Sequence, residues 1–440
     1  MKIKPRILWI GIAMLGSVFG AWGVSARSVS PGSDVPVRLQ AANAIDRRAD
    51  ADAQAMFERG RWAFRNASFR SQAFFGETLR LQEAVVTVPP RTALAVGLKV
   101  DADAVPPEVL ATADLDDPAT TVALLRLNAV VGLRGDFGGD PQGGLKSLGI
   151  SCAFCHSTVD DSVAPGIGHR LDGWPNRDLN VGAIVGLSPN LQPLADRLGV
   201  DLPTARAVLA SWGPGKFDAE LFLDGKAFRP DGKTAAVLIP PAYGLAGVNL
   251  ATYTGWGSVT YWNAFVANLE MNGKGTFFDP RLANAARFPL AAAHGFDDKR
   301  DAIDAVTDKL ADLHFYQLGL PAPAPPAGSF DPAGAARGKA IFAAKARCAT
   351  CHVPPLYTDP GWNLHAAEEI GIDDFQAKRS PTGRYRTTPL KGLWSRTKGG
   401  FYHDGRFPTL NAVVDHYDRH LALALSSQEK ADLVEFLKSL

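Results

Sequence analysis

Cys152-Ala153-Phe154-Cys155-His156 and Cys348-Ala349-Thr350-Cys351-His352 are one pentapeptide, written twice with a change only at the third residue. Two thiols three positions apart on one turn can each add to a vinyl group of the same porphyrin. The histidine that follows directly is then held against the iron as its proximal ligand. A zinc site built from two Cys-x-x-Cys pairs, or a pair of redox dithiols, is the alternative. Neither asks for a histidine straight after the second cysteine, yet both copies have one. The chain has four cysteines and the two motifs use all of them, so no disulfide is expected. The sequence therefore predicts two covalent c-type haems, on Cys152 and Cys155 and on Cys348 and Cys351, with His156 and His352 on the irons.

Working outward, the 440 residues suggest two or three domains. With 46 Lys and Arg against 45 Asp and Glu, charge is nearly balanced, and no basic stripe points to nucleic acid. Lys2, Lys4 and Arg6 precede an apolar run from Ile7 to Gly23, and Val24-Ser25-Ala26 reads as a cleavage site. Residues 1–26 are thus expected to be a signal peptide for export to the periplasm. An uncleaved membrane anchor is the competing reading.

Residues 27–140 read as an N-terminal helical region, with Thr120 to Val131 its best helical stretch after Asp117-Pro118. Residues 141–320 form the expected first haem domain. They include a middle rich in aromatics (Phe217, Phe222, Tyr243, Tyr253, Trp256, Tyr261, Trp262, Phe265) that reads as core or haem-edge packing, with a substrate groove as the alternative. Residues 321–330 are a proline-rich linker. Residues 331–440 form a compact unit whose first helix, Ala333 to Ala346, delivers the second motif. Its last helix opens with the capping-box signature Ser426-Ser427-Gln428-Glu429 and buries Leu433, Phe436, Leu437 and Leu440 on one face. The fold class expected is mainly α, with two cytochrome c-like haem domains, an N-terminal helical region and a loop-rich insertion.

The axial ligand opposite each histidine sets potential and reactivity. Beyond the leader only Met56 and Met271 remain, and no methionine follows the second motif. That leaves His365, His403, His416, Tyr417 and His420 for the second iron. For the first, His169 follows in a glycine-flanked loop as a ligand or distal acid/base candidate, while His294 and His314 read as structural.

These motifs resemble those of the bacterial di-haem cytochrome c peroxidases and the related di-haem enzyme that matures tryptophan-derived quinone cofactors. The resemblance covers residues 144–185 and 329–440. It is carried by Leu148-Gly149-Ile150-Ser151 before the first motif, Ile167-Gly168-His169 after it, Arg386-Thr387-Thr388-Pro389-Leu390, and Tyr402-His403-Asp404-Gly405 with Thr409-Leu410 and Val413-Val414. It implies that His169 is a displaceable distal ligand of the peroxide-reacting haem, and that calcium is a candidate between the domains. Fourteen residues past His403, where the peroxidases carry an axial methionine and the maturation enzyme a tyrosine, stands Tyr417, with His416 as the alternative. Two departures stand out: Phe222-Leu223-Asp224-Gly225-Lys226 has a leucine where the family has a tryptophan between the haems, and no glutamate stands for the family's acid catalyst.

The expected function is an exported di-haem oxidoreductase of peroxidase type. Peroxide or oxygen would react at the first haem, and electrons would come through the second from a small redox protein or cytochrome. A non-catalytic electron-transfer cytochrome is the alternative, and a di-haem oxygenase or protein-modifying enzyme a third reading.

Overall fold

The structure is a computed structural model that describes residues 43–140 and 143–440. The leader expected over residues 1–26 lies outside them. By packing, the chain divides into residues 1–50 and one compact unit of residues 51–440. Among the described residues no helix is long and apolar enough to cross a membrane.

Helices dominate, and the strands form only two-stranded ribbons among the described residues. Val100–Asp101 pairs in parallel with Ile167–Gly168. The antiparallel ribbons are Leu133–Asp136 with Ser147–Ile150, Ser157–Val159 with Arg170–Asp172, Lys216–Phe217 with Val237–Leu238, and Thr276–Phe278 with Asp298–Arg300. The architecture is mainly α.

The helix expected over Thr120 to Val131 is shorter and starts earlier, at Pro118–Arg126. Asp117 accepts from the amide of Ala119 (2.9 Å) and Pro118 takes the first turn, where its missing N–H costs nothing. Asn128 then adopts φ 57°, which ends the helix before Val130 and Val131 reach it.

In the C-terminal part the capping box forms as the sequence indicates. The Ser426 hydroxyl accepts from the Glu429 amide (3.3 Å), and the Glu429 carboxylate accepts from the Ser426 amide (2.7 Å). The helix Ser427–Lys438 that follows buries Leu433, Phe436 and Leu437. It packs on Pro332–Ala343, with the rings of Phe342 and Phe436 edge to face at 5.1 Å.

Most of the aromatic middle is core, while Tyr253 lines a cavity and Phe217 is half-buried. Trp256, Trp262 and Phe265 are buried together with Leu223, and their rings meet edge to face at 5.0 to 5.4 Å.

Candidate functional site: two Cys-x-x-Cys-His motifs

The first motif sits on a single helical turn, Ala153–His156, between two hydrophobic clusters: Cys152 packs against one and Cys155 against the other. Gly132 makes that position reachable. A Cβ there would fall 2.2 Å from the Phe154 backbone, so only glycine lets the neighbouring strand pass this close. The segment after the motif folds back on it, the Gly173 amide donating to the His156 carbonyl (2.8 Å) and the Asn176 amide to the Cys155 carbonyl (2.9 Å).

The His156 Nδ1 lies 3.0 Å from the carbonyl oxygen of Pro240, 84 residues along the chain. A carbonyl can only accept, so Nδ1 carries the proton and Nε2 keeps its lone pair for a metal. His352 repeats the arrangement on the carbonyl of Tyr357, at 3.1 Å. Burial pushes both imidazoles down to about 4, so both are neutral, the form that ligates iron. Burial also pushes the thiols of Cys152 and Cys155 up to about 12 and that of Cys348 up to about 11. In this burial these three cysteines are protonated thiols, the form that thioether formation uses.

The second motif forms a 3-10 turn, Cys348–Thr350, and opens into a cavity of about 460 Å³. Cys348, Cys351 and His352 line it, with Tyr417, His403 and a largely apolar wall that includes Phe342, Leu393 and Leu433. Two sulfurs, an imidazole with its Nε2 free and an apolar cavity of this size fit a c-type haem.

Tyr417 comes from the helix Leu410–His420, whose start is capped by the Thr409 hydroxyl on the Ala412 amide (3.1 Å). Burial holds its phenol above the ordinary range. Three of the other sequence candidates, His416, His420 and His365, are engaged elsewhere, and His403 is not. His416 gives Nε2 to the Ile370 carbonyl (2.8 Å) and His420 gives Nε2 to that of Glu369 (3.2 Å). His365 lines the cavity but both its nitrogens are used, on Asp359 (2.7 Å) and Glu369 (2.8 Å). His403 is buried against the ring of Tyr385 (5.3 Å) with Nε2 unpartnered.

His169 is not brought into either arrangement. Its side chain is 60% exposed, and Nδ1 is paired with Asp103 at 2.9 Å. Among the described residues, one group of His, Cys, Asp or Glu side chains has metal-ligand spacing: Cys351, Asp359 and His365. It does not unite the four cysteines, and it is not the all-oxygen set that calcium takes.

The sequence of this chain is similar to a stretch of a known protein. It is 35% identical over 124 residues to methylamine utilization protein MauG of Methylorubrum extorquens, a match covering 24% of this chain. The matched stretch spans about a third (35%) of the length of that relative. No family model matches. Among solved structures, hydrazine synthase of Kuenenia stuttgartiensis aligns over 50% of this chain and 86% of its own, at TM-score 0.27 and 17% identity. A MauG-like protein associated with microbial copper homeostasis aligns over 50% and 76%, at TM-score 0.28 and 19% identity. Neither score reaches the level at which a shared fold is shown.

The surroundings of some residues near the site carry no signal in the sequence. Met271 is buried in the cluster that packs Cys152. The ring of Trp174, one residue past Gly173, lies edge to face with that of Trp394 at 5.1 Å, and the next residues, Ser395 and Arg396, share the short turn Leu393–Arg396 with it. Since Leu393 and Arg396 line the second cavity, this tryptophan pair joins the segment that follows the first motif to the wall of the second site.

Proposed function

We propose that this chain is an exported di-haem c-type oxidoreductase of peroxidase type. One haem would be carried by Cys152 and Cys155 with His156 on its iron, the other by Cys348 and Cys351 with His352 and Tyr417 on its iron. The observation that carries the reading is the cavity where Cys348, Cys351, His352 and Tyr417 meet. The stretch similar to MauG and the matching carbonyl bonds of His156 and His352 support it. When bound, haem iron supplies one-electron transfer and, at an open sixth position, a site for peroxide or oxygen.

The protein's share is then positional. The Pro240 and Tyr357 carbonyls fix the tautomer and orientation of the two imidazoles. Tyr417 would hold the second iron together with His352 and suit that haem to electron relay, which would leave the first for peroxide or oxygen. Trp174 and Trp394 supply aromatic contact between the two sites, where Leu223 offers none. The electron donor would be a small redox protein or cytochrome in the periplasm.

One observation favours the alternative of a pure electron carrier: Met271 belongs to the hydrophobic cluster against which Cys152 packs, and a methionine on the first iron would close it. Adding peroxide to the half-reduced protein and following the loss of reducing equivalents separates the two. Turnover above that of free haem is expected; turnover no better leaves the carrier. Purified protein that loses its colour to acidified acetone would remove both.

A further inference from the structure

The inference rests on the second haem just described and deepens it. Of the four arginines that line the same cavity, Arg347 is exposed, and the other three are Arg177, Arg386 and Arg396. Arg177 and Arg396 are 8% and 6% exposed. The side-chain hydrogen bonds they make go to backbone carbonyls: Arg177 to Lys398 (3.5 Å), Arg386 to Leu250 (2.7 Å) and Arg396 to Pro389. The Nε of every one of the three is buried without a partner. No carboxylate among the described residues forms an ion pair with any of them.

Other buried arginines in this chain are treated differently. Arg379, fully buried, is held by Asp224 at 2.9 and 3.0 Å and by Asp218 at 3.0 Å. Burying even one guanidinium with no counter-charge is costly, and three facing one space is costlier. Beyond burial, which acts first, Arg396 pushes the charge of Arg386 down and Arg177 that of Arg396, so the three feel one another across the cavity. A space lined by three unpaired cations calls for an anion with at least two negative charges.

A haem fixed through its vinyl edge supplies one. Its two propionates leave the opposite edge of the ring, so thioether bonds at Cys348 and Cys351 would turn both carboxylates away from those cysteines. We propose that Arg177, Arg386 and Arg396 bind the propionates of the second haem. Planar guanidiniums with free N–H groups match carboxylate geometry. Arg177 adds a connection between the sites: it follows Asn176, whose amide is bonded to the carbonyl of the first motif's Cys155. A propionate of the second haem is thereby tied through one side chain to the attachment turn of the first.

The test uses the full holoprotein with two haems verified by the pyridine haemochrome. In Arg177→Gln, Arg386→Gln and Arg396→Gln, the propionate bending band of the second haem in the resonance Raman spectrum should shift. Its reduced-to-oxidised ratio at fixed potential should fall about tenfold, equivalent to ~59 mV for one electron. The first haem should not change, and Arg177→Lys should restore most of the ratio. Full haem content with an unmoved band and potential would overturn the assignment. The wild type tests it without any substitution: added phosphate should leave the band in place, whereas a shift would mean that the arginines hold an exchangeable anion. Loss of colour from the wild type in acidified acetone is a separate result, which removes the haem itself.

Discussion

Tyr417 faces the cavity of the second motif, while its neighbour His416 points away and gives Nε2 to the carbonyl of Ile370 at 2.8 Å. One step along a helix turns a side chain by about 100°, so the two cannot serve the same iron from one backbone position. Tyr417→Phe should therefore change the visible and paramagnetic resonance spectra of the second haem alone. His416→Ala should leave them as they are. A spectrum that moves with His416 and ignores Tyr417 would reverse the ligand assignment.

Gly338 faces the backbone of Asp432 where the helices Pro332–Ala343 and Ser427–Lys438 cross. A Cβ at Gly338 would lie 1.9 Å from the Asp432 carbonyl oxygen. In a solvent-facing helix, Gly→Ala stabilises by roughly 1 kcal/mol. Here the neighbour is backbone and cannot turn aside, so Gly338→Ala should destabilise by about 1–3 kcal/mol, as overpacking does. A thermal melt that rises with the alanine would show that the helices separate at little cost.

What could be read along the chain was what local chemistry dictates. Ser426 and Glu429 are three apart and form their capping box; Asp117 and Pro118 start a helix because each suits the position it holds. The two motifs are contiguous, so sequence alone shows the thiols and the imidazole. The rest depends on long-range closure. Nothing near His156 indicates that Pro240 will bring it a carbonyl, and nothing in the spacing of Arg177, Arg386 and Arg396 shows that they face one space. The end of the Thr120–Val131 helix was missed because Asn128 takes a left-handed conformation that its neighbours do not announce.

His169 tests the difference between a motif and its placement. The Ile-Gly-His context implies a distal ligand, but the ring is exposed and held by Asp103, itself exposed. An iron ligand in a haem crevice is enclosed. His169→Ala should leave the spectrum of the first haem and its response to cyanide unchanged in the oxidised protein. A new high-spin signal would show that His169 reaches the iron.

Glu220 is buried with Asp218 and Asp224 around the guanidinium of Arg379, and the buried Glu270, whose nearby cation is Arg197, adds to the negative charge that Glu220 feels. Burial, acting before the pull of Arg379, pushes its carboxyl up to about 7 from 4.5. A raised carboxyl means that the folded protein holds a proton the unfolded chain releases. Well below pH 4.5 both forms are largely protonated, and Glu220 costs nothing. Between pH 4.5 and about 7 the unfolded chain ionises while the folded one resists, so stability falls as pH rises. Above pH 7 the full cost stands, on the order of 3 kcal/mol for a shift of this size. Glu220→Gln keeps the shape, carries no charge, and offers N–H to the unpartnered carbonyl oxygen of Gln376. Denaturant titrations of the two proteins should coincide well below pH 4.5 and diverge above pH 6, the glutamine variant being the more stable by up to that amount at pH 8. Curves that stay parallel across this range would mean that Glu220 is ionised in the folded protein at neutral pH.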